Sequence, residues 1–247
     1  MFRSLDPARI AETAHRLGKR ISERFPGSGL SGVAESLGAE VTAAAETARW
    51  LATPQWWVRA ISFGTIVAML GLVAVSLLLL RGGVELFSSV ADFVQGLDSA
   101  VNELVLIGAA SYFLVGWETR RKRRRALRAL NVLRSLAHIV DMHQLTKDPE
   151  RLLTPQQSTP SSPQRNFTAF ELSRYLDYCS EMLSVISKTA ALYVQNFEDP
   201  VTLDAVNDVE QLTGSLSQKM WLKIDILERV APIARSAEVN TTKAPPP

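Results

Sequence analysis

An uninterrupted apolar run, Ala60–Leu80, constrains this chain more than any other feature of its sequence. The run contains 21 residues and no charged side chain. A helix needs roughly 20 apolar residues to cross the hydrocarbon core of a bilayer, and soluble helices rarely stay apolar on every face over such a length. Trp56 and Trp57 stand just before the run, where aromatic side chains favour the membrane interface. The run therefore predicts a transmembrane helix.

A second apolar run covers about 101–117 and carries Glu103 near its start and Trp117 at its end. It is shorter than the first run, so its helix must either begin before Val101 or cross the bilayer with little tilt. A re-entrant segment is the alternative. We interpret residues 55–119 as a transmembrane hairpin whose first span covers about 58–80.

The charges around the two runs predict their orientation. Eight basic residues and one acid lie within 118–134, whereas one base and four acids lie within 81–103. Short loops that stay in the cytoplasm are enriched in Lys and Arg. The second span is therefore expected to end in the cytoplasm, and a hairpin returns the N-terminus to the same side. This predicts a multi-pass protein of the inner or plasma membrane with both termini cytoplasmic.

The rest of the chain indicates an all-α fold. Ala, Leu, Glu, Arg and Ser dominate long stretches that lack β-branched runs. A disulfide-stapled secreted domain is excluded because Cys179 is the single cysteine. The first long apolar run begins too far along the chain for a cleavable signal peptide. The fold class that we predict is a two-helix transmembrane hairpin with a cytoplasmic antiparallel helical bundle.

Residues 1–54 are predicted to form two amphipathic helices on the cytoplasmic side, packed on the bundle or lying on the membrane surface. Asp6-Pro7 is typical of a helix start. A Pro-Gly-Ser-Gly segment at 26–29 separates two apolar stripes with helical spacing. The stripes are Ile10, Ala14, Leu17, Ile21 and Phe25, then Leu30, Val33, Leu37, Val41, Ala44, Ala48 and Leu51.

The chain after the hairpin divides into four predicted segments. A basic juxtamembrane helix is expected over 120–153. Residues 154–166 contain three prolines and no large apolar residue, which indicates a flexible linker. A cytoplasmic helical hairpin is expected over 167–234, and a disordered tail over 235–247.

The two helices of 167–234 have clear start signals. Thr168 with Glu171 forms a capping box, and Asp199-Pro200 begins the next helix after a short turn, so the two helices should be antiparallel. Spacings of four and three residues along the first helix are typical of a coiled-coil seam. The predicted seam is Leu172, Leu176, Cys179, Leu183, Ile186, Ala190, Tyr193 and Phe197.

Metal-type ligands gather at one place, His138, Asp141 and His143. His138 and Asp141 share a helix face and could reach one divalent metal ion, whereas His143 lies about 140° around the axis by helical geometry. A zinc site needs three or four ligands. We favour the interpretation that these are polar groups of the helix surface or helix end. Cys179 is likewise expected to be a small buried residue of the seam rather than a nucleophile.

The basic run is the strongest candidate for contact with the bilayer. A juxtamembrane position favours anionic lipid head groups as its partner, and the run lacks the interleaved aromatic residues of a nucleic-acid site. The residues expected to contact head groups are Arg120, Arg121, Lys122, Arg123, Arg124 and Arg125. Glu103 is the polar group expected inside the membrane, at a depth that lets it reach water.

No catalytic motif accompanies these features, because the sequence has no phosphate-binding glycine loop and no Gly-x-Ser-x-Gly or His-Glu-x-x-His. We expect a membrane-anchored helical scaffold or interaction protein, a homo-oligomer or the partner of another protein through its bundle. An oligomeric small channel or transport component with Glu103 lining its path is one alternative. A metal-dependent membrane enzyme using His138, Asp141 and His143 is the other.

Overall fold

A computed structural model describes residues 4–54, 56–81, 90–147, 149 and 167–242. The described residues form helices and no strand, which confirms the predicted all-α class. The helices are α1 (Pro7–Arg24), α2 (Gly29–Ala52), α3 (Trp56–Arg81), α4 (Val90–Val115), α5 (Trp117–Leu145), α6 (Ala169–Ala191) and α7 (Pro200–Thr242).

The chain forms two compact units. The first, which we call the bundle unit, comprises residues 1–52 and 126–247, and the second, the hairpin unit, comprises Thr53–Arg125. Within the bundle unit α1 packs on α2, α6 packs on α7, and both α1 and α2 contact α6. The N-terminal helices therefore pack on α6, in agreement with the first of the two placements that their sequence allowed.

Helices α1 and α2 follow their apolar stripes. Every residue of the two predicted stripes is buried. The Asp6 side chain accepts a hydrogen bond from the amide of Ala8 and caps α1. The chain turns between the helices at Gly27, whose φ of 67° lies in the left-handed region that glycine adopts without strain. Arg20 of α1 then donates two hydrogen bonds to Glu181 of α6, at 2.8 and 3.2 Å.

Helix α6 is buried over far more of its surface than the predicted seam requires. The seam positions from Leu172 to Tyr193 are buried, and Phe197 is partly buried. The neighbouring faces are also covered, at Tyr175, Tyr178, Met182, Val185 and Thr189. A two-stranded coiled coil would leave these side chains exposed. Helix α6 is instead the central helix of a single-chain core.

The two predicted helix starts around α6 and α7 are confirmed. Thr168 and Glu171 make both hydrogen bonds of a capping box. The Asp199 carboxylate accepts hydrogen bonds from the amide and the hydroxyl of Thr202, at 3.0 and 2.8 Å, and so caps α7.

The ends of the flanking segments need one correction. The expected disordered tail begins at 235, whereas α7 continues to Thr242. No proline occurs between 235 and Pro245, so nothing in this stretch interrupts a helix. The predicted flexible linker over 154–166 lies outside the described residues, as do 243–247.

The hairpin unit contains the two apolar runs. Helices α3 and α4 pack against each other and each has 26 residues. Helix α4 begins at Val90, well before the predicted start of the second span near 101. Within the described residues, Val94–Leu145 contains a helical stretch long and apolar enough to cross a membrane, and a shorter apolar stretch covers Ala60–Val75.

Candidate functional site

The sequence analysis identified two clusters of polar and charged side chains, the group around residues 138–143 and the basic run 120–125. One lies at the C-terminal end of α5 in the bundle unit. The other lies in the hairpin unit, around the junction of α4 and α5.

The C-terminal end of α5 is closed by Lys223, which α7 contributes. Its ammonium group lies 2.6 Å from the side-chain oxygen of Gln144 and 3.2 Å from the carbonyl oxygens of Gln144 and Lys147. The last carbonyl groups of a helix lack helical partners and carry partial negative charge. The Lys223 ammonium group donates hydrogen bonds to these carbonyl groups and offsets their partial negative charge.

The side chains around this end form a connected network. The Gln144 amide is buried and donates to Asp141 at 2.7 Å. The Tyr175 hydroxyl of α6 donates to the carbonyl oxygen of His143 at 3.4 Å. Burial raises the pKa of Tyr175 above its ordinary value, so the phenol stays protonated and can keep donating. The network thus ties the end of α5 to both α6 and α7.

An aromatic cluster covers the same end of the bundle unit. Phe25 packs edge-on against Phe167 and Tyr175, with ring centroids 5.6 and 5.5 Å apart. The Lys147 ammonium lies 4.3 Å from the centroid of the Phe167 ring, a cation–π geometry. Partial burial lowers the pKa of Lys147. Tyr175 thus belongs to both the aromatic cluster and the hydrogen-bond network.

The structure does not support the metal hypothesis for His138, Asp141 and His143. His138 is exposed, and Asp141 accepts a hydrogen bond from Gln144. The His143 ring lies against Gly29, so closely that a Cβ added to Gly29 would overlap the Cε1 atom of His143. In the described parts of the chain, no three His, Cys, Asp or Glu side chains converge as a metal ion requires. Helical geometry points His143 away from the other two.

Cys179 is placed where the sequence predicted it, inside the core. The side chain is fully buried, and burial raises the pKa of its thiol to about 12. The nearby Lys223 lowers this pKa and Asp141 raises it, but burial has the larger effect. A thiol that is protonated and inaccessible at neutral pH is a poor nucleophile.

The six basic residues predicted to contact lipid head groups have different surroundings in the hairpin unit. Lys122 is 6% exposed, and its ammonium lies 3.0 Å from a Glu118 carboxylate oxygen and 2.9 Å from the carbonyl oxygen of Thr53. An ammonium held inside the unit by a buried partner cannot also reach a lipid head group. Lys122 therefore has a structural role, which corrects its assignment from the sequence.

Arg120 folds back along the chain. Its guanidinium donates to the carbonyl oxygen of Phe113 and lies 4.6 Å from the centroid of that ring. The side chain passes over Gly116, the residue between α4 and α5, and an added Cβ there would lie 2.6 Å from the guanidinium. Arg120 thus covers the end of α4. Arg124 and Arg125 are exposed, and Arg123 is half-exposed.

Arg121 borders a pocket that the sequence did not indicate. Its guanidinium lies 5.6 Å from the Trp57 ring centroid. The pocket has a volume of about 280 Å³ and is lined by Trp57, Ile61, Ser62, Leu114, Trp117 and Arg121. Trp57 was predicted to lie at the membrane interface, and the structure places it and Trp117 of α5 in two walls of one cavity.

Glu103 lies on α4 and is half-buried. One residue earlier, the Asn102 amide donates to Asp98 at 3.4 Å. The channel hypothesis, which depends on Glu103, stays a prediction.

We compared the chain with known proteins, and no protein family, curated protein or solved structure matches it.

The cap on α5 predicts a large effect of Lys223→Met on stability. The substitution keeps most of the side-chain volume but leaves two carbonyl oxygens and Gln144 without this donor. Losing a charged partner of buried polar groups costs about 1.5–3 kcal/mol. Hydrogen exchange of the detergent-solubilised protein should show faster exchange at the end of α5. Lys219→Met, on an exposed position of α7, is the matched control, and equal effects of the two variants would contradict the cap.

The raised pKa of Cys179 predicts a loss of stability at alkaline pH. Above its ordinary pKa near 9 the unfolded thiol loses its proton, whereas the folded thiol keeps its proton up to about pH 12. The folded state then binds more protons than the unfolded state, so stability falls as pH rises through this window. Thermal unfolding should show a shallower decline between pH 9 and 11 in Cys179→Ala than in the wild type. An unchanged slope would contradict the assigned burial.

Proposed function

We propose that this protein is a membrane-anchored helical scaffold or interaction protein without catalytic activity. Helices α3 and α4 form a two-pass transmembrane hairpin. The bundle unit lies in the cytoplasm, where it presents a helical surface to a second copy of the chain or to another protein.

The observation that carries the proposal is the exposure of large apolar side chains on α3 and α4. In water, apolar area left uncovered costs about 25 cal/mol per Å², whereas lipid chains cover it at no such cost. Such side chains are at least half exposed on both helices, among them Phe63, Leu70, Leu78, Val105, Leu106 and Phe113. Phe63, for example, is 71% exposed.

The lengths of α3 and α4 are consistent with two crossings. A helix rises about 1.5 Å per residue, so the 26 residues of each helix extend to about 39 Å. The hydrocarbon core is about 30 Å thick. Both helices are thus long enough to cross with moderate tilt. The basic residues that follow α4 favour the cytoplasm for that end.

The interaction surface cannot be the predicted coiled-coil seam, because α6 is covered inside the chain. The bundle unit still exposes large apolar side chains on α5 and α7. Met142, Leu145, Trp221 and Leu222 are each at least 60% exposed. Exposed tryptophan is uncommon on soluble surfaces and is enriched where proteins bind each other. Trp221 and Leu222 are therefore the candidate contacts.

Catalysis has little support in the described residues. The nucleophile candidate Cys179 is buried and protonated, and the histidine cluster does not converge.

The membrane assignment predicts that the protein resists extraction. Two apolar crossings should keep it in the membrane pellet through alkaline carbonate and high salt, while detergent should release it. A reporter fused after Pro247 should be active only in the cytoplasm. Release by carbonate, or activity of that reporter outside the cell, would refute the proposed placement.

The interaction assignment predicts that Trp221→Ser disrupts association. Truncating a tryptophan that is a hot spot of an interface costs about 2 kcal/mol or more, which corresponds to roughly thirtyfold in affinity. We expect the detergent-solubilised wild type to form oligomers or to retain a co-purifying protein, as measured by light scattering after size exclusion. Leu203→Ser, at another exposed apolar position of α7, is the control. A monomeric wild type without any bound protein would count against the scaffold proposal.

A further inference from the structure

The pocket beside Arg121 combines apolar walls with a guanidinium at its edge. Its walls come from three helices of the hairpin unit: the first turns of α3, the last turn of α4 and the first turns of α5. Its volume of about 280 Å³ is just below the range of roughly 300–1,000 Å³ typical of pockets that enclose a whole small molecule. It can therefore hold part of a larger molecule.

The pocket walls are mainly apolar, with one guanidinium at the edge. Trp57 and Trp117 supply indole surfaces, and Ile61 and Leu114 supply aliphatic surface. The hydroxyl-bearing residue of the lining, Ser62, is buried and donates to the carbonyl oxygen of Leu114 at 3.4 Å. Its hydroxyl proton is therefore already used inside the unit. What remains is an apolar pocket with a guanidinium at its edge.

Such a pocket favours an amphiphile with an anionic head over a free anion. A hydrated phosphate ion would lose water against the indole and aliphatic walls without gaining enough N–H donors in return. A phospholipid bound here would place its phosphodiester at the guanidinium and its glycerol and first methylene groups against the apolar walls. Arginine binds phosphate oxygens with paired N–H donors.

We propose that this pocket is a specific site for an anionic phospholipid of the cytoplasmic leaflet, in which Arg121 binds the phosphodiester. The inference rests on the proposed membrane anchoring and adds a defined partner to it.

Arg121 differs from the neighbouring cations in its position at the pocket. Lys122 is held inside the unit by Glu118, and Arg120 is folded over Phe113. Of the basic residues in this turn, Arg121 is the one that lines the pocket. Its position over Trp57 keeps the guanidinium at the pocket edge. The basic run as a whole attracts anionic lipid diffusely, whereas this site selects one molecule.

The test is a lipid titration of the full-length, detergent-solubilised protein by native mass spectrometry. Phosphatidylglycerol and phosphatidylcholine with identical acyl chains are compared. We expect the wild type to bind the first phosphatidylglycerol more tightly than phosphatidylcholine. One Lys or Arg near anionic lipid contributes roughly 1 kcal/mol, so Arg121→Gln should weaken that first binding about fivefold or more.

Two further variants separate the pocket from general charge and from misfolding. Arg123→Gln removes the same charge about 200° around α5 by helical geometry, and should leave the first binding unchanged. Leu114→Trp fills the pocket and keeps every charge, and it should weaken binding as Arg121→Gln does. Circular dichroism spectra matching the wild type establish that each variant is folded.

The remaining outcomes overturn the inference. Equal losses in Arg121→Gln and Arg123→Gln would mean diffuse attraction without a site. Displacement of phosphatidylglycerol by millimolar inorganic phosphate alone would mean a site for the free ion. A protein that resists carbonate extraction but shows no lipid preference would retire this site and leave the membrane anchoring intact, whereas carbonate release would remove both.

Discussion

The covering of α6 is the interaction on which the bundle unit depends. Helix α6 carries apolar residues around most of its circumference, and no single neighbour can cover such a surface. Helices α1 and α2 cover one part of it and α7 covers another. Helices α1 and α2, which precede the apolar runs in sequence, therefore share a core with α6 and α7. This arrangement explains why one hydrophobic cluster extends from Ile10 to Leu227.

Close packing also explains the polar side chains around the end of α5, which is contacted by both α6 and α7. A helix that ends among packed neighbours cannot leave its carbonyl groups to water, and the structure places Lys223 and Tyr175 at those groups. Asp141 and Gln144 complete the hydrogen bonding. Of the three residues that suggested a metal centre, Asp141 accepts a hydrogen bond from Gln144 and the carbonyl oxygen of His143 accepts one from Tyr175, whereas His138 is exposed.

Local signals in the sequence predicted much of the fold correctly. The caps at Asp6, Thr168 and Asp199 form as their residue types indicate, because capping depends on atoms within three residues of the helix start. The stripes of α1 and α2 are buried at every predicted position for a similar reason, since spacing alone fixes a helix face. The start of α4 was not located from the sequence, because Asp92 and Asp98 interrupt the apolar pattern before residue 101.

The sequence alone determined the presence of helices, their caps and the separation of apolar segments from charged segments. These features depend on neighbours along the chain. The tertiary structure decided which groups meet. It placed Lys223 at the end of α5, turned Lys122 inward to Glu118, and set Trp57 and Trp117 around one pocket with Arg121. Lys223 is 79 positions from Gln144, and Lys122 is 69 positions from Thr53, to whose carbonyl oxygen it also donates. Contacts of this kind depend on how helix faces pack, which periodicity cannot specify.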